Sequence, residues 1–408
     1  MRVALNGWFW DRPETGSGQY LRYLVAALAE HAPASQFVVL TPILSIPEVA
    51  CAPNVELVKV PRKRTNLGKV WWEQVLFPKA ARQLGVDLLH VPYWAPPLHA
   101  GLPAVVTIHD LIPLLLRLYR GRSLVRLYTA FVRAASPRAT LILTDSEASR
   151  RDIVEHLNVS PDRVQTVYLA VDRIYTPAGS TDLAVRTGEA GAEVRSLRCE
   201  VSVTEDAAVL AQLGVQPGYV LYLGGFDVRK NVQAVCAAFA RAVQTVPDVR
   251  LVIAGKLPAV DSAFAPDPRR LVQEAGIPES RVHFVDFVPE AAKPALYRGA
   301  RVFIFPSVYE GFGLPPLEAL ACGTPVVGSR AASLPEVVRE GGVLLDPDDI
   351  DGMAAALIRL LTDDAFHTEL RRRAVKRAAR FTWEMTARET YAAYEKMLKQ
   401  RRLESNGR

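Results

Sequence analysis

Val302-Phe303-Ile304-Phe305-Pro306-Ser307-Val308-Tyr309-Glu310-Gly311-Phe312-Gly313-Leu314-Pro315-Pro316-Leu317-Glu318-Ala319 reads as a strand, a glycine-containing loop and the start of a helix. The apolar run 302–305 is short and unbroken, as in a strand buried on both faces of a parallel sheet. Proline suits the first helical position, so Pro316 predicts a helix starting there, and Gly323 predicts its end. Gly311, Phe312, Gly313 and Leu314 then bring backbone N–H groups to a helix start, an arrangement that favours an anion. On this reading Glu318 falls in the first helical turn and Glu310 in the loop before it. The two carboxylates do not share a helical face, so they suit different parts of one ligand.

The same rhythm extends in both directions. Upstream, strands are expected at 2–6, 36–40, 55–60, 88–90, 104–108 and 140–144, with helices at 18–30, 71–84 and 146–157 between them. Ser146 suits an N-cap. A second series has strands at 219–223, 250–254, 281–284, 302–305, 325–328 and 343–345, with helices at 232–246, 316–321 and 331–339. Alternation of this kind implies α/β architecture, with parallel sheets wrapped by helices. The pattern fades over 177–216, least predictably at 187–202, and a long charged helix is expected over 371–402. The expected organisation is therefore 1–176, a linker or insertion at 177–216, a second domain at 217–380, and a helix and tail at 381–408. Two doubly wound domains of this sort would bind ligands at the carboxyl ends of their strands, facing a crevice.

Composition narrows the class. At 408 residues, half of them hydrophobic and 23% charged, the chain suits two globular domains rather than disorder. No apolar run is long enough to span a bilayer, and the first residues turn polar too soon for a secretory signal, so a cytoplasmic protein is expected. Cys51, Cys199, Cys236 and Cys322 are too scattered for a zinc site or a disulfide framework. Residues 1–177 hold 20 Lys and Arg against 14 Asp and Glu, while 178–408 hold 29 against 29. The whole excess of +6 thus lies in the first half. An acidic substrate or an anionic membrane surface fits it better than nucleic acid, for which no signature is present.

A second chemical feature is Gly224-Gly225-Phe226-Asp227-Val228-Arg229-Lys230-Asn231, which follows the strand 219–223. Gly224 and Gly225 allow close backbone approach, and Arg229 and Lys230 just before a helix are placed to bind a diphosphate. Such charges stabilise a phosphate leaving group without a metal.

Together these motifs resemble glycosyltransferase family 4. The Glu310-x7-Glu318 spacing, Arg229-Lys230-Asn231, Ala321-Cys322-Gly323-Thr324-Pro325 and Ser333-Leu334-Pro335-Glu336 carry the resemblance in the second half. Gly16-Ser17-Gly18, His109-Asp110-Leu111-Ile112-Pro113 and Thr144-Asp145-Ser146-Glu147 carry it in the first, and Phe381-Thr382-Trp383-Glu384 resembles the closing helix. The resemblance implies the GT-B fold: two Rossmann-like domains, the first for the acceptor and the second for the donor, with the C-terminal helix crossing back to the first. It implies a retaining, metal-independent transferase that needs no cofactor and uses a GDP-sugar or UDP-sugar, GDP-mannose favoured by Arg229-Lys230-Asn231. Arg229 and Lys230 would hold the diphosphate, Glu318 the ribose, and Glu310 the transferred sugar. Gly311, Phe312, Gly313 and Leu314 would line the sugar and phosphate pocket, with Gly16, Ser17 and Gly18 closing over the phosphates. His109 would contact the donor sugar. Where family members often carry a glycine turn, this chain has Ala170, which predicts either no positive φ there or strain.

Other readings are weaker. Asp346-Pro347-Asp348 follows a strand and could hold a metal, but acids at 348 and 349 suit a helix N-terminus better. A nicotinamide site fails because Leu21 stands where a third glycine belongs. A nucleotide-sugar epimerase of related fold, or a non-catalytic nucleotide-sugar-binding protein, remains as the alternative. His90 ends its strand much as His109 does, while His31 and His99 look like surface residues. The acceptor, whether glycan, lipid-linked or small molecule, is not legible. Arg117, Arg120, Arg122, Arg126 and Arg133, set among leucines, suit a peripheral site on the inner face of a membrane.

Overall fold

The computed structural model describes residues 1–42, 52–94, 96–119, 121, 123–177 and 203–406. Cys51, Cys199, Arg120, Arg122 and the 187–202 stretch lie outside the described residues. Contacts group residues 1–170 with 381–408 as one unit and 171–380 as another.

The first unit is built on strands β1 (Arg2–Asn6), β2 (Gln36–Thr41), β3 (Val55–Lys59), β4 (Leu88–Val91), β5 (Ala104–Thr107), β6 (Leu141–Thr144) and β7 (Val164–Thr166). They form a seven-stranded parallel sheet in the order β3-β2-β1-β4-β5-β6-β7. Its helices are α1 (Gly16–His31), α2 (Asn66–Trp71), α3 (Phe77–Gln83), α4 (Ile112–Leu115), α5 (Ser123–Ala135) and α6 (Glu147–Leu157). β4, β5 and β6 are buried along their whole length, so their runs read as uninterrupted apolar segments broken only by His90, Thr107 and Thr144. Ser146 caps α6 by accepting from the Ser149 amide, as its position suggested. Leu21, Leu24 and Leu28 give α1 a fully buried stripe, each side chain worth about 1.5–3 kcal/mol of burial.

Two expectations fail here for local reasons. The single helix expected over 71–84 is broken by a π turn, Trp72–Leu76, between α2 and α3. The turn carries the buried pair Trp72 and Glu73; the Trp72 indole donates to Asn6 Oδ1 at 2.9 Å. Strand β7, only three residues long, was too short to register as a period.

The second unit repeats the plan with β8 (Tyr219–Leu223), β9 (Leu251–Ala254), β10 (Val282–Val285), β11 (Ala300–Phe305), β12 (Val326–Ser329) and β13 (Gly342–Leu345). The sheet is parallel and ordered β10-β9-β8-β11-β12-β13. Around it lie α7 (Val203–Gln212), α8 (Val232–Thr245), α9 (Pro268–Glu274), α10 (Lys293–Gly299), α11 (Leu314–Ala321), α12 (Leu334–Val337), α13 (Ile350–Thr362) and α14 (Asp364–Ala378). Helix α7 falls inside the stretch read as linker. Residues 171–177 pack within this unit: the Tyr175 hydroxyl bonds Glu290, and Arg298 donates to the Thr176 carbonyl at 3.0 Å. Its boundary therefore precedes the expected one at 176. Ala170 adopts no positive φ, so the turn there is unstrained. The helix expected over 331–339 shortens to α12, followed by a 3₁₀ turn at Arg339–Gly341.

Helix α15 (Trp383–Asn406) belongs to the first unit. The long helix expected over 371–402 is in fact α14 and α15, separated at Phe381, whose buried ring packs on Tyr168. In each sheet the strand order reverses once, between β1 and β4 and between β8 and β11. Such switch points open a crevice at the strands' carboxyl ends.

Candidate active site

The switch point of the second unit holds the residues singled out by charge. β8 leads into Gly224 and Gly225, and a 3₁₀ turn at Val228–Lys230 follows. Asn231 sits in the left-handed region at φ 53°, which asparagine tolerates, and its amide donates to the Pro347 carbonyl at 3.0 Å. This fixes the turn so that both cations face the loop after β11. Arg229 Nη1 lies 2.6 Å from Glu310 Oε2, and Lys230 Nζ lies 2.7 Å from Glu310 Oε1. Arg229 also reaches Asp227 at 3.3 Å and donates to the Tyr309 carbonyl at 2.9 Å. The Lys230 ammonium stands 4.8 Å above the Phe305 ring. Burial alone would raise the Glu310 carboxyl, but Lys230 and Arg229 outweigh it and hold it below the usual range.

Two serines hold the loop. Ser307 donates to Glu310 Oε1 at 2.6 Å, and the Ser333 hydroxyl lies 2.6 Å from the Phe312 carbonyl and 2.9 Å from that of Glu310. Gly311, Phe312 and Gly313 are buried beneath it.

Helix α11 starts at Leu314, two residues before the expected Pro316, with Gly313 as its N-cap. Glu318 therefore stands in the second turn, not the first. Pro315 and Pro316 occupy early positions and carry no N–H, so the helix start offers fewer donors than the sequence suggested. Glu318 is separate from the Arg229–Lys230–Glu310 cluster in its bonding: it accepts from the Tyr297 hydroxyl of α10 at 2.8 Å. Burial pushes its carboxyl up, with Lys293 acting the other way.

In the first unit, His109 and Asp145 stand just beyond the carboxyl ends of the neighbouring strands β5 and β6. His109 Nδ1 lies 2.7 Å from Asp145 Oδ2, and the Tyr20 ring meets the imidazole edge-on at 4.8 Å. Burial would lower the imidazole's pKa, but the Asp145 charge and hydrogen bond raise it overall. With Nδ1–H donated to Asp145, Nε2 is itself buried and makes no hydrogen bond, while the side chain as a whole keeps 25% of its exposure. His90 has a different role. It is buried between Thr107 at 2.8 Å and Tyr394 of α15 at 2.6 Å, and burial lowers its pKa to about 3. It is a structural histidine.

Gly16, Ser17 and Gly18 do not form a free loop. They are the first turn of α1, capped by Thr15, which accepts from the Gly18 amide at 3.2 Å. A Cβ at Gly18 would come 2.0 Å from the Arg12 carbonyl oxygen, so this glycine serves chain packing, whereas one at Gly16 would meet open space. Asp349 caps α13 by accepting from the Gly352 amide, and Asp346 contacts Arg330 at 3.4 Å. Among the described residues no three His, Cys, Asp or Glu side chains converge as a metal site.

Residues 15–173 match the model for Glycosyltransferase Family 4, and 211–381 match Glycosyl transferases group 1. O-antigen chain mannosyltransferase B of Escherichia coli is 33% identical over 72% of this chain and 70% of its own length. The chain belongs to glycosyltransferase family 4. This glycosyltransferase is also 32% identical to the MMP alpha-(1->4)-mannosyltransferase of Mycolicibacterium hassiacum, over 77% of the chain and 69% of that protein. The structure of Anabaena HepE in complex with UDP and glucose superposes with a TM-score of 0.69 at 18% identity, covering 97% and 100% of the two chains. That likeness supports the GT-B fold of this glycosyltransferase.

Several residues of the glycosyltransferase site escaped the sequence. Asp145 was legible only as part of a motif; its adjacency to His109 on neighbouring strands was the signal available. Ser307 and Ser333 lay within the quoted stretches but were given no role there, and Tyr20 and Tyr297 gave no signal. Gly255 is another: its Cβ would sit 2.1 Å from the Gly224 carbonyl oxygen, so β9 must end in glycine for the β8 loop to lie beside it.

Proposed function

We propose that this glycosyltransferase moves a hexose, mannose foremost, from a nucleotide diphosphate sugar to a hydroxyl of a glycan, lipid-linked or small-molecule acceptor, with retained anomeric configuration. The observation that carries it is the Arg229–Lys230–Glu310 cluster at the switch point of the second sheet. The C1–oxygen bond to the diphosphate breaks, the acceptor oxygen bonds C1, and its proton leaves with the nucleoside diphosphate. Arg229 and Lys230 meet the charge that grows on the departing phosphate, the role a metal plays in other transferases. Glu310 contacts the sugar, Glu318 the ribose hydroxyls, and His109 a donor-sugar hydroxyl through Nε2. The mannosyltransferase names of two relatives support mannose. Release of nucleoside diphosphate from a panel of GDP- and UDP-sugars, with and without EDTA, tests it. Tight donor binding with no release in the presence of any acceptor would overturn it.

A second reading concerns location. No helix among the described residues is long and apolar enough to cross a membrane. Leu118 and Leu127 are nonetheless 56% and 67% exposed, near Arg117 and Arg126 in sequence. This supports docking on an anionic leaflet. Equal sedimentation with neutral and anionic liposomes would end that reading.

A further inference from the structure

The carboxyl edge of the first sheet carries a feature that the donor chemistry does not use. Where β2 and β3 end, Pro42, Lys59, Pro61, Arg62 and Lys63 line an open surface concavity of about 490 Å³. Thr41 and Lys59 are register partners at the ends of their strands, so Pro42 and Pro61 leave the sheet side by side. Proline fixes φ, which makes the two walls stiff without a ligand.

The charges are the second observation. Some cations of this unit find acids: Arg2 pairs with Glu56, Lys69 with Glu73 and Arg150 with Glu147. Within the run Arg62-Lys63-Arg64, the third residue turns inward, bonding Asp11 and the Trp8 carbonyl. Lys59, Arg62 and Lys63 are all exposed and none makes an ion pair with a described residue. Three like charges around one concavity repel each other and raise the local positive potential, which a polyanion would meet.

Position adds the third. Along this edge the order is β3-β2-β1-β4-β5, and His109 follows β5. At a strand spacing of about 4.8 Å, the cavity lies roughly 15–20 Å from His109 along the same edge. A molecule whose hydroxyl reaches the transfer site could therefore place an anionic group in the cavity only if it is longer than a single sugar.

We propose that Lys59, Arg62 and Lys63 form a phosphate-binding subsite for a phosphate or diphosphate ester carried by an extended acceptor. The assignment rests on the transferase reading for its biological ligand, but not for its phosphate chemistry.

The test uses the full chain carrying Lys230→Ala, which weakens the donor site as a competitor for the probe; the pyrophosphate binding left at Arg229 is common to both proteins compared. Inorganic pyrophosphate binding is measured by calorimetry in this background and again after adding Lys59→Ser, Arg62→Ser and Lys63→Ser. Tm is checked in parallel; these exposed side chains make no ion pair with a described residue, so it should not move. The expected result is a loss of pyrophosphate affinity of about tenfold or more on removing the three charges. Unchanged affinity overturns the proposal. A parallel arm measures sedimentation with phosphatidylcholine vesicles with and without phosphatidylglycerol. If the triple substitution abolishes binding to anionic vesicles while pyrophosphate binding is absent in both backgrounds, the patch meets a membrane surface and the acceptor-phosphate assignment is wrong.

Discussion

Lys230 Nζ stands 2.7 Å from Glu310 Oε1, with the two side chains only 11% and 10% exposed, so the cation expected to meet the donor diphosphate is already neutralised by the carboxylate expected to meet the sugar. The cluster is stable without ligand because each charge answers another. Glu310→Gln would leave Arg229 and Lys230 buried against a neutral amide, at a cost of about 3 kcal/mol. The variant should melt lower than wild type, and a nucleoside diphosphate should raise its Tm more than it raises that of wild type. Transfer should fall about 100-fold or more. Thermal shift with GDP and UDP, beside a diphosphate-release assay, checks both; an unchanged apo Tm would contradict the pairing.

The His109–Asp145 couple makes a titration prediction. Because the folded pKa of His109 is raised above about 6.5, its contribution to stability is complete below that pH and is lost as pH rises through the folded value. In Asp145→Asn the carboxylate is gone and burial dominates, so the imidazole should titrate below 6.5. NMR titration of the His109 ring proton reads the change directly. A titration that does not move would show that Asp145 leaves the imidazole unaffected.

Tyr297→Phe removes the hydroxyl that donates to Glu318 and keeps the ring that packs on Phe303. Burial should then push the Glu318 carboxyl further up. Losing one such hydrogen bond is worth about 1 kcal/mol, or roughly fivefold in affinity. On the proposed role of Glu318 as a ribose contact, KM for donor should rise with kcat nearly constant, since such a contact serves ground state and transition state alike.

Ala332 holds φ at 48°, a left-handed conformation that costs a side-chain-bearing residue about 1–2 kcal/mol. Glycine relieves it but loosens the unfolded chain by about 0.4–1 kcal/mol. Ala332→Gly should therefore be stabilising by roughly 0.5–1 kcal/mol, raising Tm by about 1–3 °C in a thermal melt. A lower Tm would mean that the neighbouring Ser333 contacts depend on the methyl group.

The sequence made the strands plain because parallel strands buried on both faces are written as continuous apolar runs; β1 and β8 match their expected limits to the residue. Ends of helices were harder. Pro315 tolerates an earlier start than Pro316 implied, and the charged run 371–380 conceals a helix end that only the packing of Phe381 explains. The same divide applies to the site. Arg229, Lys230 and Glu310 declare themselves through local spacing. Their fixatives come from afar: Ser333 lies 23 residues from Glu310, and Asp145 lies 36 from His109. Nothing periodic links such positions, and only the strand order brings them together.

Helix α15 packs on α1, stacks Trp383 on Tyr23 at 5.2 Å and joins Tyr391 to Ser35 and Tyr394 to His90. The chain thus begins one unit, builds another, and returns to complete the first. During synthesis residues 1–170 emerge with the face of α1 and the polar end of His90 still uncovered. They must wait for residues 383–406 before those surfaces are closed, while 171–380 can fold as soon as they appear. The order of assembly on the ribosome is therefore the reverse of the order of sequence: the unit translated first is the one finished last.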